Sequence, residues 1–147
     1  MGLGLALAPI GAYLAVSGEF NIIPLFFSAA VLFWVSGFDI IYSLQDEEFD
    51  KTHELHSIPV QLGKKNALML SNILHLLTFS ALSIAGSLGE FSLYYWIGFW
   101  SFSALLVYQH TLVKHNDLSK VNLAFFTTNG IASIIFGAFV IADLLLK

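Results

Sequence analysis

Five long apolar stretches divide the chain, and short polar stretches separate them. They cover residues 3–17, 22–44, 67–86, 91–113 and 121–146. The last four each have the roughly 20 residues that a helix needs to cross a hydrocarbon layer of about 30 Å. The first is shorter, but it lacks the charged start and the cleavage site of a signal peptide, so we interpret it as a spanning helix without its first turn. The pattern predicts an all-α integral membrane bundle of five transmembrane helices, forming a single domain over residues 1–147.

The lysines are concentrated at one end of this predicted bundle. Five of the six lie in the polar stretches after the second and fourth apolar segments. The two other short loops, at residues 18–21 and 87–90, contain a glutamate each and no lysine. Cytoplasmic loops of membrane proteins carry an excess of lysine and arginine. We therefore expect the lysine-rich end, and the N-terminus with it, to face the cytoplasm.

Composition supports a membrane protein and excludes several other classes. The chain of 147 residues is 57% hydrophobic and only 11% charged, against roughly 25% charged residues in a soluble domain, and its mean hydropathy is +0.79. A net charge of -4 and the absence of arginine argue against nucleic acid as a partner, because phosphate backbones demand clustered cations. Without cysteine, the chain has no disulfides and no thiolate metal ligands. Oxygen ligands remain available.

Three aspartates and a tyrosine are regularly spaced at the end of the second apolar segment. Asp39, Tyr42, Asp46 and Asp50 are spaced 3, 4 and 4 residues apart, which on one continuous helix places them within an arc of roughly 80°. Neighbouring carboxylates repel each other. We therefore expect a positively charged partner that stabilises this stripe. Hard cations such as Mg²⁺ take carboxylate oxygens together with substrate phosphates. The alternative is a solvated helix end, which Glu48 fits, but the depth of Asp39 in an apolar run favours a functional site.

Other polar and small residues receive structural interpretations. His53 and His56 follow the acidic stripe and are open to two interpretations, as metal ligands or proton carriers or as residues making loop contacts, and we favour loop contacts. His75 stands alone on an apolar helix, where we expect it to bond a neighbouring backbone or hydroxyl group. Three glycines inside predicted helices are expected to permit close helix packing, namely Gly98, Gly130 and Gly137.

Residues 37–67 read GFDIIYSLQDEEFDKTHELHSIPVQLGKKNA. This run resembles the second aspartate-rich motif of the UbiA-type polyprenyltransferases, which has the pattern D-x-x-Y-x-x-x-D-x-x-x-D followed by a short loop and an S-I-P-x-x-x-G element. Two further runs, YQHTLV at 108–113 and DLSKVNLAFF at 117–126, resemble the branch of the family that acts on 4-hydroxybenzoate-like acids in ubiquinone and menaquinone assembly. The resemblance covers essentially the whole chain.

The resemblance implies an intramembrane enzyme of nine helices, of which this chain matches the last five. Such an enzyme uses Mg²⁺ to join a polyprenyl diphosphate to an aromatic acid, in a bacterial cytoplasmic membrane, with its active site toward the cytoplasm. Carried over residue by residue, Asp46 and Asp50 are the metal ligands and catalytic acids. Tyr42 is catalytic in the same motif, Asp39 lines it, and Lys51 is the nearest candidate to contact diphosphate.

The chain departs from the family in its first part. The family has an earlier motif, N-D-x-x-D-x-x-x-D, whereas residues 1–38 contain no aspartate and only one asparagine, Asn21. We expect a C-terminal half, a truncated reading frame, or one half of a split enzyme completed by another polypeptide, and we expect no activity from this chain alone. Two alternatives stay open. One is a fragment of a cation transporter or channel with intramembrane carboxylates, and the other is a non-catalytic relic.

Overall fold

The computed structural model describes residues 2–146 as a set of helices joined by short turns. The helices are α1 (Gly2–Ser17), α2 (Ile22–Ser43), α3 (Glu47–Thr52), α4 (Ile58–Leu88), α5 (Leu93–Leu112), a π-helix (Leu123–Thr128) and α6 (Asn129–Leu146). No strand occurs among these described residues. All five predicted apolar segments are therefore confirmed as helical, and the acidic stretch forms a short sixth element, α3.

Three of the helical stretches in the described chain are long and apolar enough to cross a membrane. They are Ile22–Ser43, Ile58–Leu88 and Leu123–Leu146. Helix α1 has only 16 residues, and α5 has 20 residues in which tyrosine, glutamine and histidine side chains interrupt the apolar sequence. The structure thus supports a multi-pass membrane protein, while the prediction of five spanning helices stays a prediction for α1 and α5.

Helix α4 begins nine residues before the predicted apolar segment. Pro59 lies in its first turn. A proline there removes no hydrogen bond, because the first N–H groups of a helix have no helical partner. Gly63, with φ 76° and ψ 156°, then interrupts the helix. This φ lies in the region that favours glycine. The S-I-P-V-Q-L-G element is therefore one helical turn that ends at a sharp change of direction before the long helix.

Two buried apolar clusters hold the helices together. One contains Tyr95, Phe99 and Phe102 of α5, packed against alanine and leucine side chains of α2, α4 and α6. The other contains Ile41 and Leu44 together with residues from the start of α4, the end of α5 and the turn before the π-helix. Because this second cluster joins those chain segments, the polar loops at 44–57 and 113–120 lie at the same end of the bundle. The clustering of lysines at one end is confirmed.

A buried carboxylate on α6 holds the start of α5. Asp143 accepts hydrogen bonds from the backbone N–H of Ser92 at 3.0 Å and of Tyr95 at 3.1 Å, and from the Ser92 hydroxyl. The first N–H groups of a helix lack helical partners and are usually satisfied by a local side chain. Here the cap comes from 51 residues away, so it also fixes α6 against α5.

The glycine predictions are partly right. A Cβ at Gly98 would lie 2.6 Å from Cβ of Phe139, so close packing of α5 against α6 requires glycine there. The prediction is wrong for Gly130 and Gly137, because no described atom lies within 4 Å of a Cβ built at either position. A glycine that the sequence did not single out, Gly37, is tightly packed against His75.

Candidate functional site

The acidic stripe does not lie on one continuous helix, and that prediction is wrong. Helix α2 ends at Ser43, and the next N–H groups bond to carbonyls three residues back, as in the Asp46 N–H to Ser43 bond of 3.2 Å. The chain turns here because Leu44 is completely buried in the apolar cluster at this end. Tighter three-residue turns rotate the following residues away from the face of α2. Asp46 and Asp50 therefore belong to a different element from Asp39.

Asp39 and Tyr42 face different surroundings on α2. Asp39 is half-buried and lines a cavity of about 630 Å³ between α1, α2 and α4, together with His56 of the following loop. Tyr42 does not line this cavity. Its ring lies 4.4 Å from the ring of Phe125 in the π-helix, measured between centroids. The structure therefore gives these two predicted site residues, which are three apart on α2, different neighbours.

Asp46 and Asp50 stay together as a pair. Asp46 directly precedes α3, and its carbonyl accepts the N–H of Asp50 at 2.8 Å, which places the two residues one helical turn apart. Side chains four residues apart on a helix are neighbours on one face. Within residues 2–146, neither carboxylate forms a hydrogen bond or an ion pair, and the Asp46 side chain is exposed. These two acids are available to a ligand.

Glu47, which lies between the two free acids, was not singled out by the sequence analysis. It is buried, and its carboxylate binds Lys51 Nζ at 2.6 Å and Lys64 Nζ at 3.2 Å. The hydrogen bond from Lys51, followed by that from Lys64, lowers the pKa of Glu47 against the opposing effect of burial. The i, i+4 spacing of Glu47 and Lys51 is readable from the sequence. The contact with Lys64, which ties α3 to α4, is not.

Lys51 is thus held by an ion pair with Glu47 on the short helix that follows Asp46. Its side chain is 55% exposed, and an ammonium has three N–H donors, so donors remain for an anion after the contact with Glu47. His53, in contrast, makes local contacts, since Nδ1 lies 2.9 Å from the Phe49 carbonyl and the ring stacks on Phe49. The expectation of loop contacts is confirmed for His53.

The acidic pair fits a magnesium ion only in part. Among residues 2–146, no group of three or more histidine, aspartate or glutamate side chains could hold a metal ion by itself. Mg²⁺ is typically bound by one or two carboxylates, with substrate phosphates and water completing an octahedron. Asp46 and Asp50 match the protein share of such a site. The remaining oxygen ligands have to come from a diphosphate or from protein outside the described residues.

A second polar site lies away from the acids, inside the bundle. His75 of α4 is buried, and its Nδ1 lies 2.7 Å from Nε2 of His110 on α5. The other nitrogen, Nε2, lies 3.3 Å from the backbone carbonyl of Trp34 on α2. The expected bond from His75 to a backbone group is therefore confirmed. The partner His110 was missed because it is 35 residues away in sequence.

Fold and site define an all-helical membrane protein with a carboxylate pair at its lysine-rich end. The chain belongs to the UbiA prenyltransferase family, whose model matches residues 1–131. The resemblance carried by the motif at residues 37–67 is thereby confirmed.

Several relatives share a name, 4-hydroxybenzoate octaprenyltransferase. The one from Tolumonas auensis is 25% identical over 142 residues, which cover 97% of this chain and 49% of the relative. The one from Francisella tularensis subsp. novicida is 33% identical over 139 residues, which cover 91% of this chain and 48% of the relative. The one from Aeromonas hydrophila subsp. hydrophila is 31% identical over 113 residues, which cover 76% of this chain and 39% of the relative. The chain therefore spans about two-fifths to one half of the length of these relatives. No solved structure matches it.

Proposed function

We propose that this chain supplies the second acidic motif of an enzyme that transfers a polyprenyl group to a 4-hydroxybenzoate-like aromatic acid in ubiquinone or menaquinone synthesis. Family membership and the shared name of the relatives support the reaction class. The observation that carries the proposal is the free pair of carboxylates, Asp46 and Asp50, one helical turn apart at the lysine-rich end.

In this proposal Asp46 and Asp50 bind Mg²⁺ together with the diphosphate of the prenyl donor. When bound, the ion neutralises the negative charge that develops on the leaving diphosphate. The carbon–oxygen bond to diphosphate breaks, the prenyl carbon bonds to a carbon of the aromatic ring, and that ring carbon loses its proton. Lys51 donates to a diphosphate oxygen with the N–H groups that Glu47 leaves free.

The residues around the pair have separate tasks. The rings of Tyr42, Phe125 and Phe126 form an apolar wall at the end of α2, which holds hydrocarbon and excludes water from the reacting carbons. Asp39, in the cavity that it shares with His56, orients polar groups of a substrate or of the other half of the enzyme. The lysine-rich end faces the cytoplasm, where the soluble aromatic acid is available.

Cation transport is less well supported than diphosphate chemistry. Transporters place their ion ligands near the middle of the membrane. Asp46 and Asp50 lie in the turn and the short helix after α2, outside the spans Ile22–Ser43 and Ile58–Leu88. Acids at the mouth of a bundle suit a charged headgroup that stays at the membrane surface while its apolar tail lies among the helices.

Prenyl transfer in membranes tests the proposal. The chain is expressed alone and fused to the N-terminal half of the Tolumonas auensis relative, and transfer of a labelled prenyl group to 4-hydroxybenzoate is measured. We expect no activity from the chain alone and Mg²⁺-dependent activity, abolished by EDTA, from the fusion. Asp46→Ala and Asp50→Ala should each lower the rate about 10²- to 10³-fold, the usual effect of removing one stabilising group from a transition state.

Glu48→Ala is the matched control, because Glu48 is exposed on the same short helix and should be dispensable. A fusion that tolerates both aspartate substitutions contradicts the metal assignment. A fusion that is folded but inactive identifies the chain as a relic and contradicts the proposed function. Activity of the 147-residue chain without the other half refutes the expectation that it is incomplete.

A further inference from the structure

A groove between α4 and α5 contains the histidine pair. Its volume is about 430 Å³, within the range of roughly 300–1,000 Å³ that is typical of small-molecule sites. Phe79, Trp100 and Val107 line its walls, and His75 and His110 lie at its base. Trp100 and Val107 are more than 60% exposed, so an apolar molecule can enter from the side.

The hydrogen bonds of the pair determine which histidine nitrogen is free. A carbonyl oxygen can only accept, so Nε2 of His75 carries the proton that is donated to the Trp34 carbonyl. In a neutral ring the other nitrogen then accepts, and therefore Nδ1 of His75 accepts the Nε2–H of His110. Both rings are neutral in this arrangement, as burial among membrane helices favours. Nδ1 of His110 is left as an acceptor.

This nitrogen is both unoccupied and accessible within the described chain. His110 lines the groove and forms its hydrogen bond through Nε2, and its Nδ1 is not fully buried. The groove's other polar side chains donate within their own helices, Ser103 to Phe99 and Asn72 to Leu68. A ligand that fits the base of the groove therefore brings a hydrogen-bond donor to an acceptor.

We infer that the groove between α4 and α5 binds a phenol that carries a prenyl chain, with the phenolic O–H donating to Nδ1 of His110. The rings of Phe79 and Trp100, 5.8 Å apart between centroids, offer a surface for the aromatic ring, and the open apolar side accommodates the chain. That such a molecule is available rests on the proposed function, since its product is a phenol with a prenyl chain. The product also keeps the carboxylate of the aromatic acid, which lies at the opposite end of the ring from the hydroxyl and therefore toward the open side of the groove. The groove would then hold the product after it leaves the acidic pair.

The test measures binding of tritiated 2-geranylphenol to the 147-residue chain in lipid nanodiscs, corrected for uptake by empty nanodiscs. Its methyl ether, which has no donor, is the matched control ligand. We expect the ether to bind about five- to tenfold more weakly, tenfold being about 1.4 kcal/mol. His110→Phe should weaken phenol binding by the same factor and leave ether binding unchanged, and Ala104→Phe should fill the groove and abolish binding of both ligands.

His115→Phe is the control variant, because His115 lies outside the groove. Equal affinities of phenol and ether for the unmodified chain overturn the inference without relying on any variant. The inference is also overturned if phenol binding disappears when the N-terminal half is supplied. In that case, packing of the added helices would cover the groove. In ¹⁵N spectra of histidine-labelled chain, the phenol alone should shift Nδ1 of His110. The assay contains neither Mg²⁺ nor diphosphate, so its outcome is independent of the assignment of Asp46 and Asp50.

Discussion

Replacing Gly37 by alanine should disrupt the contact between α2 and α4. A Cβ at this position would lie 2.4 Å from Nε2 and 2.5 Å from Cδ2 of the His75 ring, whereas non-bonded carbon atoms prefer about 3.5–4.0 Å. The ring therefore has to move by about 1 Å. It cannot move freely, because it is bonded to His110 at 2.7 Å and to the Trp34 carbonyl at 3.3 Å.

The expected cost follows from these contacts. Overpacking a buried site costs about 1–3 kcal/mol, and each weakened hydrogen bond between membrane helices costs about 0.6 kcal/mol more. The better helix propensity of alanine offsets up to about 1 kcal/mol of this cost. The net loss for Gly37→Ala is thus about 1–3 kcal/mol in the free energy of unfolding, measured by reversible denaturation in mixed detergent micelles.

Two further variants make this prediction sharp. Gly137→Ala, at a helical glycine with no described atom near its Cβ position, should be neutral or slightly stabilising. His75→Ala should remove the obstacle, so that adding Gly37→Ala to it costs much less than in the unmodified chain, a non-additivity that a double-mutant cycle measures. The explanation is refuted if Gly37→Ala is as stable as Gly137→Ala, or if the two substitutions are additive.

Three other predictions concern stability. Asp143→Ala should lower the free energy of unfolding by about 2 kcal/mol, because the N–H groups of Ser92 and Tyr95 and the Ser92 hydroxyl lose their acceptor, and a detergent melting curve shows it. Gly63→Ala should cost about 1–2 kcal/mol in the same assay, because alanine resists the positive φ. Glu47→Gln should cost about 1 kcal/mol at pH 7. Because Lys51 and Lys64 lower the pKa of Glu47, this difference should be present above the ordinary pKa of 4.5 and vanish as the pH falls through the lower folded-state value.

Each of these predictions has an outcome that contradicts it. An unchanged melting curve for Asp143→Ala would show that the cap of α5 is satisfied without the carboxylate, and Asp143→Asn should fall between alanine and the original residue. Equal stability of Gly63→Ala and the original chain would argue against the observed break in α4. A Glu47→Gln effect that does not decrease as the pH is lowered below 4.5 would mean that the side chain acts through packing rather than charge, and Glu48→Gln, at an exposed position, is the control.

Local sequence was sufficient for much of the architecture. Apolar runs long enough to bury backbone hydrogen bonds in lipid specify helices, and all five appear in the structure. The charges of the loops identified the lysine-rich end correctly. The separation of Asp46 and Asp50 by one helical turn was also predicted correctly, because the Asp50 N–H bonds to the Asp46 carbonyl as the i, i+4 spacing requires.

The sequence by itself determined which segments are helices and which end of the bundle carries the charges, because both depend on interactions within one segment and with the membrane. Only the tertiary structure decided where α2 ends, since burial of Leu44 against other segments turns the chain there. The same is true of the contacts from Glu47 to Lys64, from His75 to His110 and from Asp143 to Ser92. Such contacts join residues far apart in sequence, and no local spacing encodes which helices pack together.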